Sequence, residues 1–190
     1  MIYRLKKVFQ KKTDIEKRVE SLLKKYVDDE MEVLLHETPA TLEQIENFEY
    51  KTGFTLSESF KSFCCSKYHL LAVEVKEEVW ERPYCGQRGP AWTFSYGFDV
   101  HGFDVESDEQ YYIPKLYEYM KSECLTDTVP FLNIATDSDP FCFCKDDTIR
   151  QYECQNSGME YDMDFLSFFE LQLKELCERK KAYKQYKKMQ

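Results

Sequence analysis

The side chains most able to do chemistry are few and scattered. There are three histidines, His36, His69 and His101, and eight cysteines, at 64, 65, 85, 124, 142, 144, 154 and 177. Cys64 or Cys65 with His69 would make a thiol–imidazole pair, the minimum for an activated nucleophile. No third residue is spaced to orient that histidine, and His69 opens an alternating apolar run, so packing is the expected role of all three. A structural zinc site needs two close ligand pairs, usually two to four residues apart within a pair. No C-x₂-C occurs. Cys64 and Cys65 are adjacent and diverge on a helix. Cys142 and Cys144 share one strand face and read as small core hydrophobes. Asp99, Asp104, Glu106, Asp108 and Glu109 offer oxygens for a hard cation, but they lack the D-x-[DN]-x-[DN]-G spacing of a calcium loop. No G-x-G-x-x-G or G-x-x-x-x-G-K is present to cradle a phosphate. No catalytic, cofactor-binding or metal-ligating residue is therefore assigned, and a non-enzymatic protein is expected.

What remains is surface. Residues 74–112 combine acids and aromatics more densely than the rest: Glu74, Glu77, Glu78, Trp80, Glu81, Tyr84, Trp92, Tyr96, Asp99, Asp104, Glu106, Asp108, Glu109, Tyr111 and Tyr112. Carboxylates steer a basic partner, and Trp or Tyr anchors it. We take Glu74, Glu77, Glu78, Trp80, Glu81, Tyr84, Trp92, Asp99, Asp104, Glu106, Asp108 and Glu109 as candidate partner-binding residues. The competing reading is that the aromatics fill the core and the acids solvate its edge.

The charge distribution points the same way. The net charge of −9 is unevenly spread. Residues 1–25 hold nine basic and three acidic residues, and 174–190 hold seven and two. The middle, 26–173, holds ten basic and thirty acidic residues. So acidic a body repels phosphates, which argues against nucleic acid as the main ligand. No apolar run reaches the roughly 18 residues of a membrane helix. The start, MIYRLKKVFQKK, lacks a signal-peptide core. A cytoplasmic protein with reduced thiols is expected, with no membrane partner, as a monomer or weak homodimer.

The elements that must position these residues follow from periodicity and caps. Thr13 with Glu16, and Thr41 with Gln44, are capping boxes that open helices over 13–27 and from Leu42 to a Gly53 stop. Ser57 caps a short third helix with Phe60, Phe63 and Cys64 inward. Residues 31–35 and 71–75 read as strands, 82–91 as a loop, and Trp92, Phe94 and Tyr96 as another strand. The Gly97–Val100 and Gly102–Val105 segments share a G-F-D-V motif, too short to define a repeat. A helix is expected over 113–124. Strands follow at 129–135, 141–144 and 148–154. Asp162 or Asp164 caps a final helix with Phe165, Phe168, Phe169, Leu173, Leu176 and Cys177 on one side. At 190 residues, one domain suffices. The fold class is α+β: a single, mostly antiparallel sheet packed against N-terminal and C-terminal helices. Residues 1–12 are expected to be a basic extension, 13–178 the domain, and 179–190 a solvated basic helical tail.

Two stretches resemble the SMI1/KNR4 (SUKH) superfamily. Ala40–Glu49, followed by Gly53–Phe63, is similar to its opening helix and L-P-x-x-[YF]-x-x-[FL] element. Pro130–Ala135, Asp139, Phe141–Phe143, Ile149, Tyr152 and Phe165–Phe169 resemble its later strands and closing helix. The chain departs from the pattern at Ser57, where proline is usual, at Cys64–Lys67, where N-G-G is common, and at Ser138–Asp139, where Gly-Asp precedes the hairpin. The resemblance spans roughly residues 13–178. It implies an immunity protein of bacterial type, which binds and neutralises a cognate polymorphic or contact-dependent toxin, here expected to be basic, with a nuclease as one candidate. Its fungal relatives imply the alternative, an intracellular scaffold or regulatory domain unrelated to toxins. Neither role carries a fixed catalytic motif.

Overall fold

A computed structural model describes residues 13–36, 38–82, 91–103, 111–122, 128–135, 139–146, 148–153 and 156–189. The caps read from the sequence set the first helices. α1 (Asp14–Tyr26) begins at Thr13, whose hydroxyl accepts from the Glu16 amide while the Glu16 carboxylate accepts from the Thr13 amide. α2 (Leu42–Thr52) repeats the arrangement with Thr41 and Gln44. It stops at Gly53, whose φ of +67° is the left-handed conformation that glycine adopts without Cβ strain. Ser57 caps α3 (Glu58–Cys64). Asp164, rather than Asp162, caps the closing helix, accepting from the Ser167 amide at 2.8 Å.

Seven strands form one sheet in chain order, every neighbour antiparallel: β1 (Met31–Leu35), β2 (Leu71–Val75), β3 (Gly97–Val100), β4 (Thr128–Ile134), β5 (Phe141–Cys144), β6 (Ile149–Glu153) and β7 (Asn156–Tyr161). α4 (Ile113–Ser122) bridges β3 and β4, and α5 (Phe165–Met189) closes the chain. The architecture is the α+β class expected from the sequence.

One sheet face carries the aromatic core. Phe60 from α3 and Phe165, Phe168 and Phe169 from α5 pack edge-on or tilted against Phe98, Phe131, Phe141 and Phe143 of the sheet, where Phe131 stacks on Phe143, and Phe63 of α3 packs on Phe165 of α5. α1 lies against α3 and α5. The alternation of β5 sends its thiols the other way. Cys142 meets Met120 of α4 at 3.9 Å, so α4 covers the opposite face over β4 and β5. α2 joins α4 there through Phe48, which contacts Phe103 and Tyr117.

Two expectations are corrected and a third is refined. Residues 92–96 do not form a strand: Ala91–Phe94 is a 3-10 turn closed by the Ser95 amide on the Trp92 carbonyl, and β3 begins only at Gly97. Strand β7 was not expected, because NSGMEY has little strand propensity. Gly158 is nonetheless required there, since a Cβ would come within 2.3 Å of the Gln151 carbonyl oxygen. The tail beyond 178 is largely exposed, as read, but two of its side chains are anchored to the domain. α5 continues unbroken, and Lys180 and Tyr183 are buried.

Candidate functional site

With α4 over β4 and β5, the same face of β1, β2 and β3 is left as an open groove of about 300 Å³. Its lining includes Leu34, Leu35, Ala72, Glu74, Asp99 and Tyr111. Register explains the grouping. Leu34 pairs with Ala72 and Ala72 with Asp99; Glu32 pairs with Glu74 and Glu74 with Gly97. Two parallel rows thus cross the strands, one running from apolar to acidic and one with two acids ending at a glycine. Leu34 and Leu35 remain 50% and 45% exposed on the outermost strand.

Gly97 makes the acidic row possible. A Cβ there would meet the Glu74 Cγ and the Val73 carbonyl oxygen at 2.8 Å. The bare glycine lets Glu74 lie across β3 and reach Arg82, with a 2.8 Å ion pair. The Arg82 guanidinium in turn sits 3.8 Å over the Tyr96 ring, a cation–π contact. Glu74 is therefore ion-paired and held.

Asp99 is not. Among the described residues its carboxylate has no hydrogen bond and no ion pair. Burial, then the neighbouring Glu74 charge, raise its pKa from 3.8 to about 6. Further along β3's direction, His101 is buried, its Nε2 2.8 Å from the Asn133 Oδ1 and its Nδ1 without a partner. Burial lowers its pKa to about 4, so the ring is neutral. If the Asn133 oxygen accepts from Nε2–H, Nδ1 is a bare acceptor. Tyr111 lies at 6.0 Å from the ring and helps wall the groove. Leu70, also lining it, has φ of +49°, a conformation costing a non-glycine residue about 1–2 kcal/mol. A carboxylate unpaired among the described residues and a strained leucine thus meet at one groove, with the buried His101 beneath its Tyr111 wall. Such local violations concentrate where a fold serves function rather than stability.

The structure disperses the other sequence candidates. Trp80 is fully buried and cannot touch a partner; it stacks on Tyr183 at 4.4 Å and donates from Nε1 to the Thr93 carbonyl at 2.7 Å. Its sequence surroundings are acidic, but its large apolar ring is taken up by α5. Trp92, 36% exposed, leans on Tyr186 at 5.3 Å. Glu81 is paired in cis with Lys187 at 3.0 Å. Glu77 and Glu78 lie exposed in the turn after β2, with no ion pair among the described residues. Tyr84, Asp104, Glu106, Asp108 and Glu109 lie outside the described residues. Leu34 and Leu35, which line the groove, and Glu32 and Arg82, which flank Glu74 beside it, were missed: strand register brings in the first three and the turn after β2 returns Arg82 to Glu74.

The charge asymmetry is also reduced internally. Lys180, Lys184 and Lys187 recur along one side of α5. Lys180 binds Asp28 at 2.6 Å and Glu30 at 3.2 Å, and Lys184 binds Glu30 at 2.5 Å. The basic C-terminus thus covers part of the acidic body, while the β1–β3 groove keeps its carboxylates.

The thiol–imidazole reading finds no geometry. His69 is buried, its Nδ1 2.9 Å from the Ser66 carbonyl oxygen. Burial pushes the Cys64 thiol well above its usual range and raises Cys65 as well, the reverse of nucleophile activation. Among the described residues, no group of three or more His, Cys, Asp or Glu is arranged to hold a metal ion, and no helix is long and apolar enough to cross a membrane. Comparison with known proteins gives no matching family model, no matching curated protein and no matching solved structure.

Proposed function

We propose that the chain is a protein-binding module that recognises a basic partner through the open β1–β3 face, and that it acts as an immunity protein neutralising a toxin in the cytoplasm. The observation that carries the binding reading is Asp99: a desolvated carboxylate without a partner among the described residues, in a groove rimmed by exposed leucines. A fold retains such a group at a cost to its own stability, and a complementary charge on a partner offsets that cost. Glu77 and Glu78, exposed nearby in sequence at the end of β2, supply the long-range attraction that speeds encounter. The toxin assignment rests on the resemblance to the SUKH superfamily described above.

The test is co-expression with a toxin encoded beside the gene. Protection of the cells supports the reading; unchanged killing refutes the toxin assignment. Replacing Glu77 and Glu78 with lysine is expected to slow association at least tenfold at low salt and much less at high salt. Equal rates at both salts would remove that turn from the interface.

A further inference from the structure

The geometry points to a defined pocket within that face: we propose that the groove between Leu34, Ala72 and Asp99 receives a single lysine or arginine side chain from the partner. This rests on the reading of the β1–β3 face as a protein-recognition surface and specifies its anchor.

Three features select a long cationic side chain. The row across the strands runs Leu34, Ala72, Asp99, from apolar to charged over about 10 Å at the usual strand spacing. Lysine and arginine have the same order, an aliphatic stem ending in a charge. Ala72 in the middle leaves the floor shallow enough to admit that stem, and the groove volume of about 300 Å³ suits one side chain with its flanking backbone. Among the described residues Asp99 is an acceptor with no donor, while its neighbour Glu74 is already engaged by Arg82. That internal pair shows the chemistry the face accepts: a guanidinium against a carboxylate, its flat side on an aromatic ring. Tyr111 walls the groove as Tyr96 does the Arg82 site. An anionic ligand would face Glu74 and Asp99 together. A wholly apolar one would leave Asp99 desolvated and unpaired.

The experiment uses the full chain, isotopically labelled, and three probe peptides: acetyl-GLKLG-amide, acetyl-GLRLG-amide, and the first with norleucine in place of lysine. Backbone amide shifts are followed by NMR. The lysine and arginine peptides are expected to shift Leu34, Ala72 and Asp99. The norleucine peptide is expected to bind at least tenfold more weakly. Asp99→Asn should abolish the difference between lysine and norleucine. Ala72→Leu, which fills the floor without touching the charge, should weaken all three peptides, and it serves if Asp99→Asn does not fold. Equal binding of lysine and norleucine peptides, shifts confined to other residues, or full binding by Ala72→Leu would overturn the proposal. So would shifts at these amides that grow with protein concentration in the absence of peptide, which would assign the face to a second copy of the chain. Because no toxin is involved, peptide binding without protection of cells counts against the toxin reading alone. Protection without peptide binding counts against the pocket alone.

Discussion

Replacing Asp99 with asparagine should make the protein more stable at neutral pH. Asp99 titrates near 6 in the fold, against an ordinary value of 3.8. The fold therefore holds its proton more tightly than the unfolded chain does. Between pH 6 and 3.8 the folded state binds more protons, so stability gains from this group as pH falls and loses as pH rises. At about 1.4 kcal/mol per pH unit, the span amounts to about 3 kcal/mol of destabilisation at pH 7. Asparagine keeps the shape and discards the charge, but its amide finds no obvious partner, which returns about 1 kcal/mol. A net gain of about 2 kcal/mol at pH 7 is expected. His101 provides the internal contrast. Its pKa of about 4 lies below the ordinary 6.5, so the unfolded chain binds the extra proton and stability falls as pH drops through that window. In the wild type the two groups oppose each other; in Asp99→Asn the histidine acts alone. Urea denaturation followed by tryptophan fluorescence at pH 7, 6, 5 and 4 measures this. The advantage of Asp99→Asn should shrink as pH falls below 6 and vanish near 4. A variant equally stable at pH 7, or an advantage independent of pH, would refute the account of Asp99 as a desolvated, unpaired acid.

Three further perturbations follow from the packing. Gly97→Ala places a Cβ within 2.8 Å of the Val73 carbonyl oxygen, so it should cost about 1–3 kcal/mol in denaturation and displace Arg82 from Tyr96; an unchanged midpoint would contradict the close approach of β2 and β3. Ending the chain after Glu178 removes Tyr183 from Trp80 and the Lys180, Lys184 and Lys187 ion pairs. A loss of about 3 kcal/mol or more and a red-shifted tryptophan emission are expected; unaltered emission would mean that the tail is dispensable. Gln172 is fully buried with neither side-chain polar atom bonded, so Gln172→Met should stabilise by about 1–3 kcal/mol, read as a raised denaturation midpoint; a lowered midpoint would show that the amide is satisfied by bound water.

How far the sequence disclosed this molecule depended on the range of the interactions. Capping boxes at Thr13 and Thr41, the Gly53 stop and the 3.6-residue stripe of Phe165, Phe168 and Phe169 are local signals, and each appears where it was read. Strand β7 failed because its backbone is recruited by β6 rather than by its own propensity. The pairing of Lys180, Lys184 and Lys187 in the tail of α5 was not legible, because only the fold brings Asp28, Glu30 and Glu81 to them, and Lys180 is buried by it. The site shows the same division. Glu74 and Asp99 were singled out for their charge, but their juxtaposition depends on the β2–β3 register. Glu32 and Leu34 carry no local mark of function. Trp80 was misplaced because an aromatic residue among acids reads the same whether it faces a partner or the underside of a helix.

The account stands on the β1–β3 face being the surface that recognises a basic protein. Hydrogen exchange of the chain, alone and in complex with a co-purified toxin partner, tests this most directly. The prediction is slowed exchange in 31–35, 71–75 and 97–100, reversed by Asp99→Asn. Protection confined to α2, to the β7 edge or to the C-terminal part of α5, with β1–β3 unchanged, would contradict it.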